Sequence, residues 1–216
     1  MITDLDQVRQ LVAIDADGAT RSAVIEALAS SRSLLQGHFA LHRGRHATTA
    51  LRFRGLGHDP AALRVIAKAL VTPDWDLRGT VLLSPESSGF FLADALARMH
   101  GGLPHAIAQT DLRRMPTRTL LSGAIQPNDR VVIVNDVANS GASVDVLREL
   151  IVERGAFAHG VLVFGVVGVT EFHAYCDRWK LPRRHLLTAN WQLFTPEVDC
   201  PGCARREPAI PIAEFV

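Results

Sequence analysis

The chain has 216 residues, of which 48% are hydrophobic and 21% are charged, a composition typical of a globular domain rather than a disordered or fibrous protein. Its net charge of +1 provides no strong field toward nucleic acid or an acidic membrane, and its N-terminus lacks a signal-peptide pattern. No apolar run approaches the roughly 18 residues of a membrane helix, and three cysteines are too few for a disulfide framework, so we expect a reduced, cytoplasmic location.

The N-terminal segment, residues 1–58, is predicted to form a helical and hood region within a single domain that spans residues 1–216. Amphipathic periodicity between Asp4 and Ser30 predicts one or two helices. Short apolar runs between Leu34 and Arg54, separated by glycines, predict a hairpin or small sheet outside the main core.

Helices and strands are predicted to alternate from residue 59 onward, beginning with a helix that Asp59 caps and that ends near Leu70. The predicted strands that follow are 80–83, 106–108, 131–134, 160–169 and 185–187, and the predicted helices are 90–100, 142–153 and 171–179. Strands that are apolar at every position are buried on both faces, which predicts an α/β fold with a parallel sheet flanked by helices. Ligands of such sheets bind beyond the carboxyl ends of the strands.

The most informative of these strand ends is the segment from Asn135 to Ser143. A buried strand leads to the carboxylate of Asp136, and a loop of small residues then enters a helix. Small residues let backbone N–H groups surround an anion, and the helix N-terminus adds about half a positive charge. A phosphorylated sugar would use both the anion site and the carboxylate, although a well-capped helix without a ligand is the alternative interpretation.

This segment resembles the motif by which type I phosphoribosyltransferases bind phosphoribosyl pyrophosphate (PRPP). Two further segments are similar to orotate phosphoribosyltransferases: Leu35 to His46, and Pro182 to Cys203. The resemblance implies an enzyme of pyrimidine biosynthesis that transfers 5-phosphoribose from PRPP to a base, an orotate-like pyrimidine, and releases pyrophosphate. It also implies Mg²⁺ as cofactor and a homodimer, while the net charge of +1 predicts no nucleic-acid partner.

The resemblance further implies roles for individual residues. Asp136 would hold the ribose diol and act in catalysis with Arg113, while residues 110–118 would form a mobile loop that reaches into the neighbouring subunit. Substrate binding would involve the 5-phosphate loop, the pyrophosphate loop and two further arginines: Asn135, Asn139, Ser140, Gly141, Ala142, Ser143, Ser84, Glu86, Ser87, Ser88, Arg114 and Arg45.

The sequence departs from the family pattern at three places. Thr110, Arg113 and Met115 stand where the loop of the family has two lysines and a histidine. Arg113, Arg114 and Arg118 still bring positive charge, but guanidinium cannot act as a general acid near neutral pH. Asn135 replaces the first acid of the motif, so we expect Asn135→Asp to raise turnover. Val167 to Val169 provide no arginine for the carboxylate of orotate. A catalytically weakened PRPP- or nucleotide-binding regulatory paralogue is therefore the alternative.

Cys200 and Cys203 form one C-x-x-C pair, which supplies half of a tetrahedral zinc site, with His185 as a further candidate ligand. Because no second cysteine pair exists, the sequence favours a structural turn and assigns no metal ligands. His38 and His46 are predicted to be surface or interface residues rather than ligands.

Overall fold

A computed structural model describes residues 1–41, 44–73, 75–87 and 89–212. The strands, in chain order, are β1 Val12–Ile14, β2 Leu34–Ala40, β3 His46–Leu51, β4 Thr80–Pro85, β5 His105–Thr110, β6 Pro116–Ser122, β7 Arg130–Ala138, β8 Phe157–Val166, β9 Arg183–Ala189, β10 Leu193–Phe194 and β11 Ile210–Pro211. The helices are α1 Leu5–Leu11, α2 Gly18–Ser30, α3 Arg54–Gly57, α4 Pro60–Leu70, α5 Gly89–Met99, α6 Ala142–Glu153, α7 Val169–Arg178 and α8 Pro201–Ala204.

The central sheet has seven strands in the order β1-β9-β8-β7-β4-β5-β6. The five inner strands are parallel, whereas β1 and β6 pair antiparallel at the two edges. Every residue of β4 is buried, as are most residues of β7 and β8, because helices cover both faces of the sheet. The α/β fold with a parallel sheet flanked by helices, predicted from the sequence, is confirmed.

Two apolar cores lie against the central sheet. One includes residues of α2, α4 and α5, and the other includes residues of α6 and α7. The N-terminal helices therefore belong to the main body, and β1 extends the central sheet by pairing with β9. The sequence analysis grouped residues 1–58 as one helical and hood segment, because amphipathic periodicity predicts that a helix is packed but not against which layer it packs.

A second sheet of four strands forms the hood, in the order β10-β3-β2-β11. The predicted hairpin corresponds to β2 and β3, but β10 and β11 come from the C-terminal part of the chain. Arg45 reinforces this junction, because its guanidinium donates hydrogen bonds to the carbonyl oxygens of Leu193 at 2.8 Å and Phe194 at 3.1 Å. The hood is thus built from two segments that are far apart in sequence.

Across the described ranges, none of the helices combines the length and apolar character that crossing a bilayer requires.

Candidate active site

The loop between β7 and α6 takes a tight left-handed turn at Gly141, whose φ is 80°. A Cβ atom added there would lie 2.7 Å from Cγ of Tyr175 on α7, so both the backbone conformation and the close packing require glycine. Gly141 is also the N-cap of α6 and has no side chain to accept hydrogen bonds from the first-turn N–H groups. Those groups and the helix dipole are therefore suited to an external anion.

The loop forms the floor of a cavity of about 350 Å³ between the central sheet and the hood. The turn between β5 and β6 forms one side of the cavity through Arg113 and Arg114. The roof is largely apolar and includes Ala50 and Leu51 of β3, Trp191 and Ile212. The cavity thus combines a polar floor, a cationic side and an apolar roof.

Asn135 and Asp136 lie at the carboxyl end of β7, with only 4% and 8% of their surfaces exposed. The Asn135 side chain donates a hydrogen bond from Nδ2 to the carbonyl oxygen of Val137 at 3.3 Å. Among the described residues that line the cavity, Asp136 is the only acid, and Arg113 and Arg114 are the only bases. The amide of Asn135 avoids the cost of burying a second carboxylate beside Asp136.

Comparisons with known proteins agree on a fold, although no family model matches the chain. The curated orotate phosphoribosyltransferase of Pelotomaculum thermopropionicum is 26% identical over 193 residues, which cover 88% of this chain and 96% of that protein. The orotate phosphoribosyltransferase of Thermus thermophilus is 28% identical over 185 residues, or 86% of this chain and 97% of the relative. The crystal structure of orotate phosphoribosyltransferase from Aeropyrum pernix superposes with a TM-score of 0.62 at 21% identity, covering 75% and 92% of the two chains.

The chain has the type I phosphoribosyltransferase fold. The resemblance predicted from the sequence is confirmed, and so is the predicted class, a phosphoribosyltransferase. The segment that resembles the PRPP motif forms the loop between β7 and α6, at the carboxyl end of a central parallel strand.

The phosphoribosyltransferase fold brings most of the predicted site residues to one cavity. They belong to the floor, to the turn between β5 and β6, and to the segment after β4: Asn135, Asp136, Asn139, Ser140, Gly141, Ala142, Ser143, Arg113, Arg114 and Ser87. Ser88 lies outside the described residues.

Three predicted substrate-binding residues are placed elsewhere. Ser84 is fully buried and its hydroxyl is 2.8 Å from Nε2 of His105, a ring whose pKa is lowered by burial. Glu86 lies in a neighbouring cleft, where Thr110 donates to its carboxylate from Oγ1 at 2.6 Å and from the backbone at 3.0 Å, which lowers the pKa of Glu86. Arg45 is occupied at the hood junction described above. These three side chains have partners within the protein, and their roles in substrate binding stay predictions.

The predicted mobile loop 110–118 is a loop only in part, which corrects its bounds: Thr110 ends β5, and residues 116–118 belong to β6. Only residues 111–115 form a turn, and the Asp111 side chain fixes it by accepting hydrogen bonds from the backbone N–H of Arg113 at 2.8 Å and Met115 at 2.9 Å. Arg118 lies on β6 and forms an ion pair with Glu153 of α6. Two of the three predicted loop arginines therefore face the cavity, and the third holds a helix.

The interpretation of His38 as a surface residue is also wrong, whereas His46 is half-buried. His38 is only 6% exposed, and both rings meet Cys200 and Cys203 at one side of the hood. Sequence reasoning missed the group because its members come from two strands and a helix that are about 150 residues apart. A pair of histidines on adjacent predicted strands was the available signal.

Proposed function

We propose that the protein transfers 5-phosphoribose from PRPP to a ring nitrogen of a pyrimidine base and releases pyrophosphate. One observation carries the proposal: a single cavity brings together the carboxylate of Asp136, the glycine-capped N-terminus of α6, and two arginines. These three features match the three parts of PRPP, which are its ribose diol, its 5-phosphate and its pyrophosphate.

The 5-phosphate would bind at residues 139–143. Backbone N–H groups of the loop and the first turn of α6 would donate to its oxygens, together with the hydroxyls of Ser140 and Ser143. Asp136 would accept hydrogen bonds from the ribose hydroxyls. As the bond to pyrophosphate breaks, positive charge develops on the ribose, and a nearby carboxylate stabilises that charge more than it stabilises the ground state.

Arg113 and Arg114 would bind the departing pyrophosphate. A guanidinium keeps its proton near neutral pH, so these residues would stabilise negative charge without transferring a proton to the leaving group. The described cavity offers Mg²⁺ one carboxylate, Asp136, and one amide, Asn135, which suits an ion that takes most of its oxygen ligands from substrate phosphates. Bound in this way, Mg²⁺ would neutralise charge on the pyrophosphate.

Two kinds of pyrimidine are candidates for the acceptor. The names of the curated relatives favour orotate. The composition of the cavity favours an uncharged pyrimidine, because its described basic side chains, Arg113 and Arg114, lie in the turn and not in the apolar roof. A buried carboxylate without a basic partner is costly, so binding of orotate would depend on one of these arginines turning toward the base.

The test is pyrophosphate release from PRPP and Mg²⁺ with orotate, uracil, cytosine, adenine and guanine offered separately. We expect release with at least one pyrimidine, and mass spectrometry of the product should identify the corresponding nucleoside monophosphate. Calorimetry with PRPP alone gives an independent readout of the site. PRPP binding without turnover on any base would contradict the transferase, whereas absence of both binding and turnover would also contradict the assignment of the cavity.

A homodimer and a cytoplasmic location are further parts of the proposal. Leu112 is fully exposed at the tip of the turn between β5 and β6, where a second subunit would cover it. None of the three cysteines is joined in a disulfide, as expected in a reducing compartment. Light scattering of the wild type and of Leu112→Ser would test the dimer, since a monomeric wild type would contradict it.

A further inference from the structure

Two histidines and two cysteines meet at the outer side of the hood, and we call His38, His46, Cys200 and Cys203 the Cys–His cluster. Their four candidate ligand atoms all lie within 4.8 Å of one another. Sγ of Cys200 is 3.3 Å from Nε2 of His38, and Sγ of Cys203 is 3.7 Å from the same atom and 3.3 Å from Nδ1 of His46. None of the four residues lines the cavity described above.

These spacings match a tetrahedral metal centre. Bond lengths of about 2.0–2.1 Å from zinc to nitrogen and about 2.3 Å to sulfur place neighbouring ligand atoms roughly 3.3–3.8 Å apart. Three of the four nitrogen–sulfur distances, at 3.3, 3.7 and 3.3 Å, fall in that range, and the fourth, between His46 and Cys200, is within 4.8 Å. Nε2 of His38 and Nδ1 of His46 are closer, at 2.7 Å, which is a hydrogen-bond distance. A bound ion would replace this hydrogen bond and move the two nitrogens apart.

A hydrogen bond to a backbone carbonyl fixes the orientation of the His38 ring. Its Nδ1 lies 2.8 Å from the carbonyl oxygen of Glu207, and a carbonyl only accepts, so Nδ1 carries the proton. In the neutral ring, Nε2 then has a lone pair, which faces the two sulfurs and Nδ1 of His46. Metal-binding histidines in proteins are commonly oriented in this way: the ring nitrogen that does not bind the metal donates a hydrogen bond to a backbone carbonyl or a carboxylate.

The cysteine pair is held close to this ring by a glycine. A Cβ atom on Gly202 would lie 2.4 Å from Cγ of His38, so a larger residue between the cysteines would push the C-x-x-C turn off the imidazole. Pro201 opens α8 directly after Cys200, which is itself only 3% exposed. The turn is therefore shaped to present both sulfurs to the histidines.

We propose that the Cys–His cluster binds one zinc ion in a structural Cys₂His₂ site that fastens residues 200–207 to the hood. Four protein ligands close the coordination sphere, which is the arrangement of structural and not catalytic zinc. Thiolate and imidazole ligands favour zinc over magnesium or calcium. Because β3 runs from His46 to Ala50 and Leu51 in the cavity roof, the ion would hold the roof in place.

The first experiment measures zinc by mass spectrometry in protein produced with zinc and then freed of loose metal by a weak chelator. We expect about one zinc per chain in the wild type, and a large loss in Cys203→Ser and in His46→Asn, both of which alter half-buried ligands. Cys176→Ala is the matched control, because Cys176 is buried in α7 away from the cluster and should keep full zinc. Circular dichroism checks that each variant is folded.

A second measurement needs no variant. Cobalt added to metal-free wild type should give the intense visible bands of a tetrahedral thiolate site, and the thiols of Cys200 and Cys203 should become reactive only after a strong chelator. Wild type that holds no zinc and gives no such bands would overturn the proposal, as would full zinc retention in Cys203→Ser. Iron in place of zinc, or a Cys200–Cys203 disulfide without metal, would overturn it as well.

Discussion

The floor and the roof of the cavity are built in opposite ways. The floor comes from one uninterrupted stretch, residues 135–143, in which a buried strand, a carboxylate and a glycine turn follow each other directly. The roof is a sheet whose strands come from residues 34–51 and 193–211 and meet beside the Cys–His cluster. Under the proposed function, the floor would hold the groups for chemistry, while the roof would enclose the substrate and depends on long-range contacts.

The largest expected effect is on the floor, in Asp136→Asn. Loss of the negative charge should lower kcat/KM by roughly 100-fold or more, about 3 kcal/mol of transition-state stabilisation, with little change in melting temperature. Asp94→Asn is the control, because Asp94 pairs with Arg98 on the surface of α5. If steady-state kinetics show near-wild-type activity for Asp136→Asn, this carboxylate takes no part in the chemistry.

Metal removal tests the roof and should act mainly on stability and binding. At a free zinc concentration about a thousand times the dissociation constant, bound zinc adds about 4 kcal/mol to the free energy of unfolding. Its removal should therefore lower the melting temperature on the order of 10 °C. We expect KM for the base to rise more than kcat falls, because the chemical groups lie on the floor. Scanning calorimetry measures the melting temperature and steady-state kinetics measure kcat and KM, each before chelation, after chelation and after zinc is added back. An equal loss in kcat would show that floor and roof are not separable.

The turn between β5 and β6 lies between the two regions and should affect one ligand selectively. Arg113→Ala combined with Arg114→Ala should weaken PRPP binding by roughly tenfold to a hundredfold, and nucleoside monophosphate binding much less, because only PRPP carries pyrophosphate. Arg118→Ala is the matched control, since that arginine is held by Glu153. Calorimetric titrations with both ligands check the difference, and equal losses would move the pyrophosphate site elsewhere.

The smallest effect is expected from Asn135→Asp, and the structure reverses the sign predicted from the sequence. The new carboxylate would replace the amide donor next to the carbonyl oxygen of Val137 and would lie beside Asp136 in a buried position. Repulsion should raise the carboxyl pKa values and destabilise the fold by about 1–3 kcal/mol, so activity falls several-fold. Asn128→Asp, an exposed turn position, is the control. A rise in kcat would restore the original expectation.

The sequence indicated the parallel sheet and the floor because both leave local signals. Every position of β4 is apolar or small, and the order of Asp136, Gly141 and α6 can be read along the chain. β6 was missed because an exposed edge strand has little apolar pattern. The role of Arg45 could not be read either, since its partners Leu193 and Phe194 are distant in sequence and offer only backbone oxygens.

The pairing of β11 with β2 has a consequence for the order in which the molecule assembles. During synthesis, β2 leaves the ribosome long before residues 210–211 exist, so β2 and β3 must wait as an incomplete hairpin while the central sheet forms behind them. Closing so long a loop is entropically costly, and we therefore expect the roof to be the last part to become protected. Pulsed hydrogen exchange during refolding would contradict this if β2 gained protection as early as β7.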